Sequence, residues 1–340
     1  MRPSSPAGCT TCQSGQCETD ACDGCPDCHC CGDPCVFPCG WYVGAEAVWA
    51  RPYFQHNTAY ATEVFSTNTQ GNENIAFTET PFHYDFEITP RIWVGYENEC
   101  GFGVRARYWQ FDHQSNEITL RDPEVADVVL PVLIAGTSNV PPITGRTGDV
   151  ITIQSSLEMH VIDLEGTQRF KWCCTDAQVA LGIRIARIQQ SYDAYLERSS
   201  NNNFAESGDF LRHSTKFEGA GPTMALDLRR PVCCGGWSVF GGARGAILFG
   251  KTDESFSYEV TTFGEGISVQ DVQLDRSEYE VRAVGEIRLG VEWSHCLECG
   301  AELFAQASVE GQIWEGVGNS LDQSSDLGLL GFGLALGVHR

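Results

Sequence analysis

The stretch Glu280-Val-Arg-Ala-Val-Gly-Glu-Ile-Arg-Leu-Gly-Val-Glu-Trp293 decides the fold. Its even positions carry Glu, Arg, Val, Glu, Arg, Gly and Glu, and its odd positions carry Val, Ala, Gly, Ile, Leu, Val and Trp. Successive side chains of a strand point to opposite faces of the sheet. This period of two therefore predicts a β-strand with one ionic face and one apolar face.

The same alternation recurs along the chain and predicts about ten strands of roughly 10–15 residues, longer than the usual strand of soluble proteins. It is clear in 84–96, 102–112, 161–172 and 301–314, and weaker in 176–190, 215–231 and 237–250. The first segment, 41–51, has a single Glu46 among apolar partners. The last segment, 327–340, is almost wholly apolar, with small Gly and Ala on one face. Short turns are expected at 98–101, 173–176, 233–236 and 295–300, and long connections at 53–82, 114–156, 191–214, 251–278 and 315–326.

Short and long connections that alternate between strands are typical of an outer-membrane barrel. We therefore predict an all-β, up-and-down antiparallel transmembrane β-barrel of about ten strands (8–12), with short periplasmic turns and long outer loops. A soluble β-sandwich or soluble barrel is the alternative, because alternation does not by itself say which face meets water.

Three features favour the membrane. The ionic faces carry both signs and many arginines, as a narrow lumen requires. The long connections are acidic. Aromatic residues stand at the ends of apolar faces, and Trp41 and Trp49 are separated by roughly 20 Å along the membrane normal if the strand is tilted, close to the height of an outer-membrane apolar band. These aromatic residues are Trp41, Trp49, Tyr84, Tyr96, Trp172, Trp237 and Trp293.

Composition narrows the possible partners and compartments. The net charge of −23 argues against nucleic acid as a partner. No apolar run approaches the ~18 residues of a transmembrane helix. The first residues, 1–6, contain no apolar segment, so no signal peptide is visible in this sequence. The expected location is the bacterial outer membrane, with outer-membrane lipid and small hydrophilic solutes as partners.

The ionic face of each strand predicts which side chains line the lumen. Arginines and carboxylates placed there would set a transverse field that selects solutes. Alternatively, a barrel of about ten strands is narrow enough for salt-bridged side chains to fill it. By parity the candidates are Glu46, Asp85, Glu87, Arg91, Arg105, Arg107, Asp163, Glu165, Arg169, Lys171, Arg184, Asp227, Arg229, Arg244, Arg282, Glu286, Arg288, Glu302 and Glu310.

The connection 114–156 contains the apolar run Val128-Val-Leu-Pro-Val-Leu-Ile-Ala135 between acidic stretches. Three interpretations are open. The run could fold into the lumen as a constriction loop, add an eleventh and a twelfth strand, or form a surface hairpin.

The chain contains 17 cysteines, ten of them in residues 1–39. This Cys-rich tail cannot build a hydrophobic core, and we predict that it is largely disordered or stapled by disulfides or metal, whereas residues 40–340 form the barrel. The expected topology places every cysteine at the short-turn end. Disulfides there could join turns to the tail or to other envelope proteins. The candidates outside the tail are Cys100, Cys173, Cys174, Cys233, Cys234, Cys296 and Cys299; weak candidates for a metal site are Cys22, Cys25, Cys28 and Cys30.

The sequence contains no G-x-S-x-G, H-E-x-x-H, Walker A or Rossmann fingerprint. Its eight histidines are scattered. We therefore predict that the chain is not an enzyme and uses no cofactor.

Several motifs resemble one family. The motifs are Gly101-Phe-Gly-Val-Arg-Ala-Arg-Tyr-Trp-Gln-Phe-Asp112, Phe217-Glu-Gly-Ala-Gly-Pro-Thr-Met-Ala-Leu-Asp-Leu-Arg-Arg230, Phe240-Gly-Gly-Ala-Arg-Gly-Ala-Ile-Leu-Phe-Gly250 and Gly331-Phe-Gly-Leu-Ala-Leu-Gly337. They are similar to the pore-forming outer-membrane proteins related to the Legionella major outer membrane protein, a family expanded in planctomycete-type bacteria. The likeness covers roughly 41–340 in scattered motifs. It implies an outer-membrane barrel with a porin-like role and supplies no catalytic residues. The chain departs from the family at its end, Val338-His339-Arg340, where an aromatic residue is usual.

Two functions follow as hypotheses. The first is a pore for passive diffusion of small hydrophilic solutes, with selectivity set by paired charges in the lumen. The alternative is a structural envelope protein, a plugged barrel cross-linked through cysteines at its periplasmic end.

Overall fold

The computed structural model describes residues 39–67, 73–121, 128–129, 148–172, 175–197, 208–232, 236–263, 267–297, 301–318 and 325–340. Within these ranges the chain forms only strands and connections. Among the residues described, no helix is long and apolar enough to cross a membrane.

Fourteen strands are described. They are β1 (Gly40–Phe54), β2 (Thr58–Thr67), β3 (Glu73–Pro81), β4 (Glu87–Glu97), β5 (Phe102–Gln114), β6 (Ile118–Arg121), β7 (Val128–Val129), β8 (Val150–Trp172), β9 (Thr175–Glu197), β10 (Gly208–Pro231), β11 (Trp237–Phe263), β12 (Ile267–Cys296), β13 (Glu302–Trp314) and β14 (Leu327–His339).

Ten of these strands close into an antiparallel ring. The order is β5-β4-β1-β14-β13-β12-β11-β10-β9-β8, and β8 pairs back to β5 to complete the circle. The first and last strands lie side by side, with Tyr42 opposite His339. The predicted up-and-down barrel of about ten strands is confirmed.

The strands from β8 to β12 are 23 to 30 residues long, about twice the predicted length. The connections predicted at 191–214 and 251–278 are therefore wrong, because most of their residues continue the ladders. In β11 and β12, for example, pairing runs without a break from Trp237↔Trp293 to Phe263↔Ile267. The long strands carry the sheet beyond the apolar band at the long-connection end.

The two longest connections contain short strands. Strands β2, β3 and β7 form a separate three-stranded sheet, and β6 pairs with the outer part of β8. Within the apolar run 128–135, only Val128 and Val129 are described; they pair with Thr62 and Ala61 of β2. The rest of that run lies outside the described residues.

The outward face of the ring is apolar. In β12, Val281, Ile287, Leu289 and Val291 are between 45 and 62% exposed, although a soluble protein would bury them. The other strands present similar side chains outward, including Ile92, Val94, Leu164, Ile183, Met224, Leu334 and Leu336. An apolar band of this kind is the lipid-facing surface of a transmembrane barrel.

Aromatic residues mark the short-turn edge of this band. Trp41 is 65% exposed and contacts Tyr96, and Trp237 lies opposite Trp293 in the ladder. The expectation that Tyr84 belongs to such a girdle is wrong: its ring is buried, because residue 84 precedes β4 and packs into the outer end of the interior. The side chain of Trp172 lies outside the described part.

Candidate functional site

A buried arginine organises the ionic interior at mid-height. Arg91 of β4 donates two hydrogen bonds to Glu310 of β13, both at 2.7 Å, and a third to Glu46 of β1 at 2.9 Å. Arg288 of β12 donates to the other oxygen of Glu46 at 2.7 Å. Arg91 reaches Glu310 across β1 and β14, because the inward face of β14 is small; a Cβ at Gly333 would overlap Glu46.

A second group of charges completes this layer. Arg184 of β9 binds Asp163 through Nε at 2.7 Å and Glu286 through Nη1 at 2.6 Å. Arg107 of β5 donates to the same two carboxylates at 3.0 and 2.9 Å. Arg244 of β11 also lies within ion-pair range of both. Arg244 also pairs with Glu165, so three carboxylates and three arginines compensate one another inside the barrel.

Apolar side chains fill the lumen on the outer side of this charged layer. Trp109 and Trp314 are almost fully buried and belong to one cluster with Phe111, Leu157 and Leu248. The guanidinium of Arg184 lies over the Trp314 ring at 5.8 Å. The charged layer and this apolar cluster together close the lumen at mid-height. We call the two of them the plug. A ring of ten strands is narrow enough for side chains to do this.

On the short-turn side of the charged layer, the lumen opens into a cavity of about 330 Å³. We call it the vestibule. Its lining includes Arg105, Arg169, Asp227 and Arg229, and it reaches Lys171, which is exposed at the short-turn end. The vestibule is the space within the described barrel that a solute could enter from the periplasmic side.

Two ion pairs at the vestibule mouth include carboxylates that the sequence analysis missed. Arg169 pairs with Glu97 at 3.0 Å, and Arg229 pairs with Glu292 at 2.5 Å. Both carboxylates lie on the ionic face of their strands. Glu97 lies one residue beyond the segment 84–96, whereas Glu292 lies on the ionic face of Glu280–Trp293 but was not among the lumen candidates.

The structure places most of the predicted lumen residues on the inward face. Asp85 and Glu87 do not line the lumen: both are exposed at the long-connection end, because the ring no longer encloses the chain where β4 begins. Lys171 lies at the rim. Inward-facing are Glu46, Arg91, Arg105, Arg107, Asp163, Glu165, Arg169, Arg184, Asp227, Arg229, Arg244, Arg282, Glu286, Arg288, Glu302 and Glu310.

With the barrel and its interior established, comparison with known proteins identifies the family. The family model of the Legionella pneumophila major outer membrane protein precursor matches residues 34–335. The chain belongs to this family. The resemblance seen in the sequence is thereby confirmed, and so is location in the bacterial outer membrane. No curated protein matches the chain significantly.

Solved structures of outer-membrane barrels are similar to this family member at low identity. The outer membrane protease OmpT from Escherichia coli is 9% identical, with 89% of this chain and 97% of that chain covered and a TM-score of 0.40. A FadL homologue from Pseudomonas aeruginosa is 8% identical, with 88% and 90% covered and a TM-score of 0.23. The Pseudomonas putida toluene transporter TodX is 7% identical, with 88% and 89% covered and a TM-score of 0.18.

The match to a protease corrects the expectation that the chain is not an enzyme. That expectation was based only on missing sequence motifs. The match transfers no catalytic residue and no substrate to this chain.

The cysteine predictions fall largely outside the described residues. Cys39, Cys100 and Cys296 lie at the short-turn end, next to the first strand, in the β4–β5 turn and at the end of β12. The candidates Cys173, Cys174, Cys233, Cys234 and Cys299, and the weak metal candidates Cys22, Cys25, Cys28 and Cys30, are outside the described ranges.

A second apolar cluster lies beyond the membrane band, at the long-connection end. It includes Phe82, Tyr84, Ile151, Tyr192 and Phe256. The Tyr192 hydroxyl donates to the Ala59 carbonyl at 2.8 Å, and burial raises the pKa of Tyr192. Burial also raises the pKa of Tyr84 to about 12, because the phenolate would be cut off from water.

Proposed function

We propose that this protein is an outer-membrane pore for small hydrophilic solutes, closed at mid-height in the conformation described. The vestibule carries the proposal, since it is a cavity of about 330 Å³ within the barrel, is lined in part by charged side chains, and reaches the periplasmic rim. Membership of an outer-membrane protein family supports it. Passage requires rearrangement of the plug.

Selectivity in this proposal comes from paired charge. The vestibule presents Arg105 beside Asp227 and Arg229 beside Glu302, so a passing solute meets both signs at each level. Such pairs produce a field across the lumen and no strong net charge. We therefore expect weak preference between simple cations and anions, and stronger preference for polar solutes over apolar ones.

A structural role is the second candidate, and the filled lumen favours it. In that case the plug is permanent, and the barrel serves as an anchor linked through cysteines at its periplasmic end. The position of Cys39, Cys100 and Cys296 at the short-turn end is compatible with such a linkage.

Conductance in planar lipid bilayers separates the two. We compare the wild type, the variant Trp109→Ala/Trp314→Ala, and the matched control Trp41→Ala/Trp237→Ala, whose indoles face lipid. For a closed pore, removing both plug indoles raises the frequency or size of discrete current steps, whereas the control behaves as the wild type. Absence of steps from the folded, heat-modifiable plug variant would reject the pore and leave the anchor.

A further inference from the structure

The vestibule has one aromatic side. Trp93 of β4 and Phe304 of β13 stack with ring centroids 6.4 Å apart and planes inclined by 23°. Tyr42 of β1 and His339 of β14 are neighbours at 6.0 Å, and all four side chains line the cavity. They come from four consecutive strands of the ring, so together they form a continuous aromatic wall.

Glycines let these rings lie flat against the barrel. A Cβ at Gly44 would overlap the Trp93 ring, and a Cβ at Gly337 would overlap the Phe304 ring. Each ring therefore lies close to the backbone of a neighbouring strand, and both line the cavity. The inward glycines of β1 and β14 thus shape a flat wall.

The rest of the vestibule is ionic. Arg105 projects from β5, the strand next to β4 and so beside the aromatic wall, whereas Asp227 and Arg229 line the cavity from β10 on the far side of the ring. The Nε atom of Arg105 lies 2.8 Å from a carboxylate oxygen of Glu165, which is fully buried. The guanidinium therefore lies between this carboxylate and the cavity.

The second partner of Arg105 is held loosely. Asp227 lies 3.3 Å from both terminal nitrogens of Arg105, and its side chain is 44% exposed. A guanidinium offers five N–H donors in a planar fork that matches a carboxylate. An incoming carboxylate could therefore take the place of Asp227 on Arg105.

We propose that the vestibule binds a small planar organic acid from the periplasmic side, with its ring against Trp93 and Phe304 and its carboxylate on Arg105. This inference rests on the proposed pore function and names its solute class. The cavity volume lies at the lower end of the roughly 300–1,000 Å³ usual for small-molecule sites, which suits a single-ring compound.

Calorimetric titration of the full-length chain in detergent micelles tests the proposal, with benzoate as the probe. Benzyl alcohol has the same ring without charge, benzylamine reverses the charge, and acetate lacks the ring. We expect saturable benzoate binding and at least tenfold weaker binding of the other three. Equal binding of benzylamine, or no saturable benzoate binding, would overturn the proposal.

The proposal predicts opposite changes in benzoate affinity for two variants. Arg105→Gln weakens benzoate binding at least tenfold, because the carboxylate loses its fork. Asp227→Asn strengthens it severalfold, because the competing carboxylate is removed. The lipid-facing control Trp237→Ala leaves it unchanged. If Arg105→Gln fails to fold, as judged by lost heat-modifiable mobility, Asp227→Asn decides alone: unchanged or weaker binding refutes the site.

Failure of the binding proposal can be distinguished from failure of the pore proposal. Benzoate binding is measured without a membrane, whereas the pore is tested by current. Current steps without benzoate binding would remove only the solute class. Benzoate binding without current would retain the site and reject transport.

Discussion

Removing the charge of Arg91 should destabilise the barrel far more than removing an exposed charge. Arg91 is 2% exposed and donates two hydrogen bonds to Glu310 and one to Glu46. In Arg91→Met, Glu46 keeps Arg288 at 2.7 Å, whereas Glu310 loses both guanidinium hydrogen bonds and keeps the one from the Gln312 amide at 3.3 Å. Leaving one buried carboxylate without its cation costs about 3–5 kcal/mol.

A second substitution identifies the origin of that cost. Arg91→Met/Glu310→Gln removes the stranded charge, so we expect it to recover roughly 1–3 kcal/mol relative to the single variant, within the usual range of coupling between contacting residues. If the loss came only from altered packing, the double variant would be no more stable than Arg91→Met.

The assay is equilibrium unfolding in urea with the barrel in lipid vesicles, followed by tryptophan fluorescence. The matched control is Arg187→Met, because Arg187 is 48% exposed and its partner Glu218 is 3.8 Å away. Such a pair contributes little, and we expect a change within about 0.5 kcal/mol. Equal free energies of unfolding for Arg91→Met and Arg187→Met would refute the assignment of Arg91 to a closed ionic interior.

Three further predictions follow from the same geometry. Ile287→Arg places a charge on the lipid-facing surface and should destabilise the barrel in vesicles by about 2–4 kcal/mol, measured by the same urea titration, whereas a water-facing position would show almost no change. Gly333→Val should prevent Glu46 from occupying its place and lower the yield of heat-modifiable barrel on gels; normal yield would contradict the packing there. Tyr84 has a pKa raised from 10.0 to about 12, so its stabilising contribution is complete below pH 10 and is lost, up to roughly 2–3 kcal/mol, as the pH rises to about 12. Tyr84→Phe should remove that part of the alkaline destabilisation, and an unchanged pH profile would contradict it.

The alternation of ionic and apolar residues was sufficient to predict the ring and most of its interior. In a strand, odd-numbered and even-numbered residues point to opposite faces of the sheet, so the numbering of a residue tells which face it occupies. The argument works only where the ring encloses the chain. It failed for Asp85 and Glu87, which have the parity of Arg91 but lie outside the closed part. It also missed the length of β11 and β12. Beyond the membrane band the outward face becomes polar and the inward face carries apolar residues such as Phe256 and Tyr258, so the pattern of the membrane segment does not continue.

The closure of the lumen was foreseen only as an alternative. A clue was present: Trp109 shares the parity of Arg105 and Arg107, and Trp314 shares that of Glu310. Large aromatic side chains on an ionic face predict a filled interior. The specific ion pairs could not be predicted, because the contact between Arg91 and Glu310 depends on the order of strands around the ring and on the small inward face of β14.

Lipid contact along one strand tests the central claim most directly. Wild-type protein is placed in vesicles that contain a phospholipid with a photoactivatable acyl chain, and crosslinked residues of β12 are mapped by mass spectrometry. We predict crosslinks at Ile287, Leu289 and Val291 and none at Glu286 or Arg288. Crosslinks at both parities, or at the charged positions alone, would contradict a barrel whose apolar face meets lipid and whose charges lie inside.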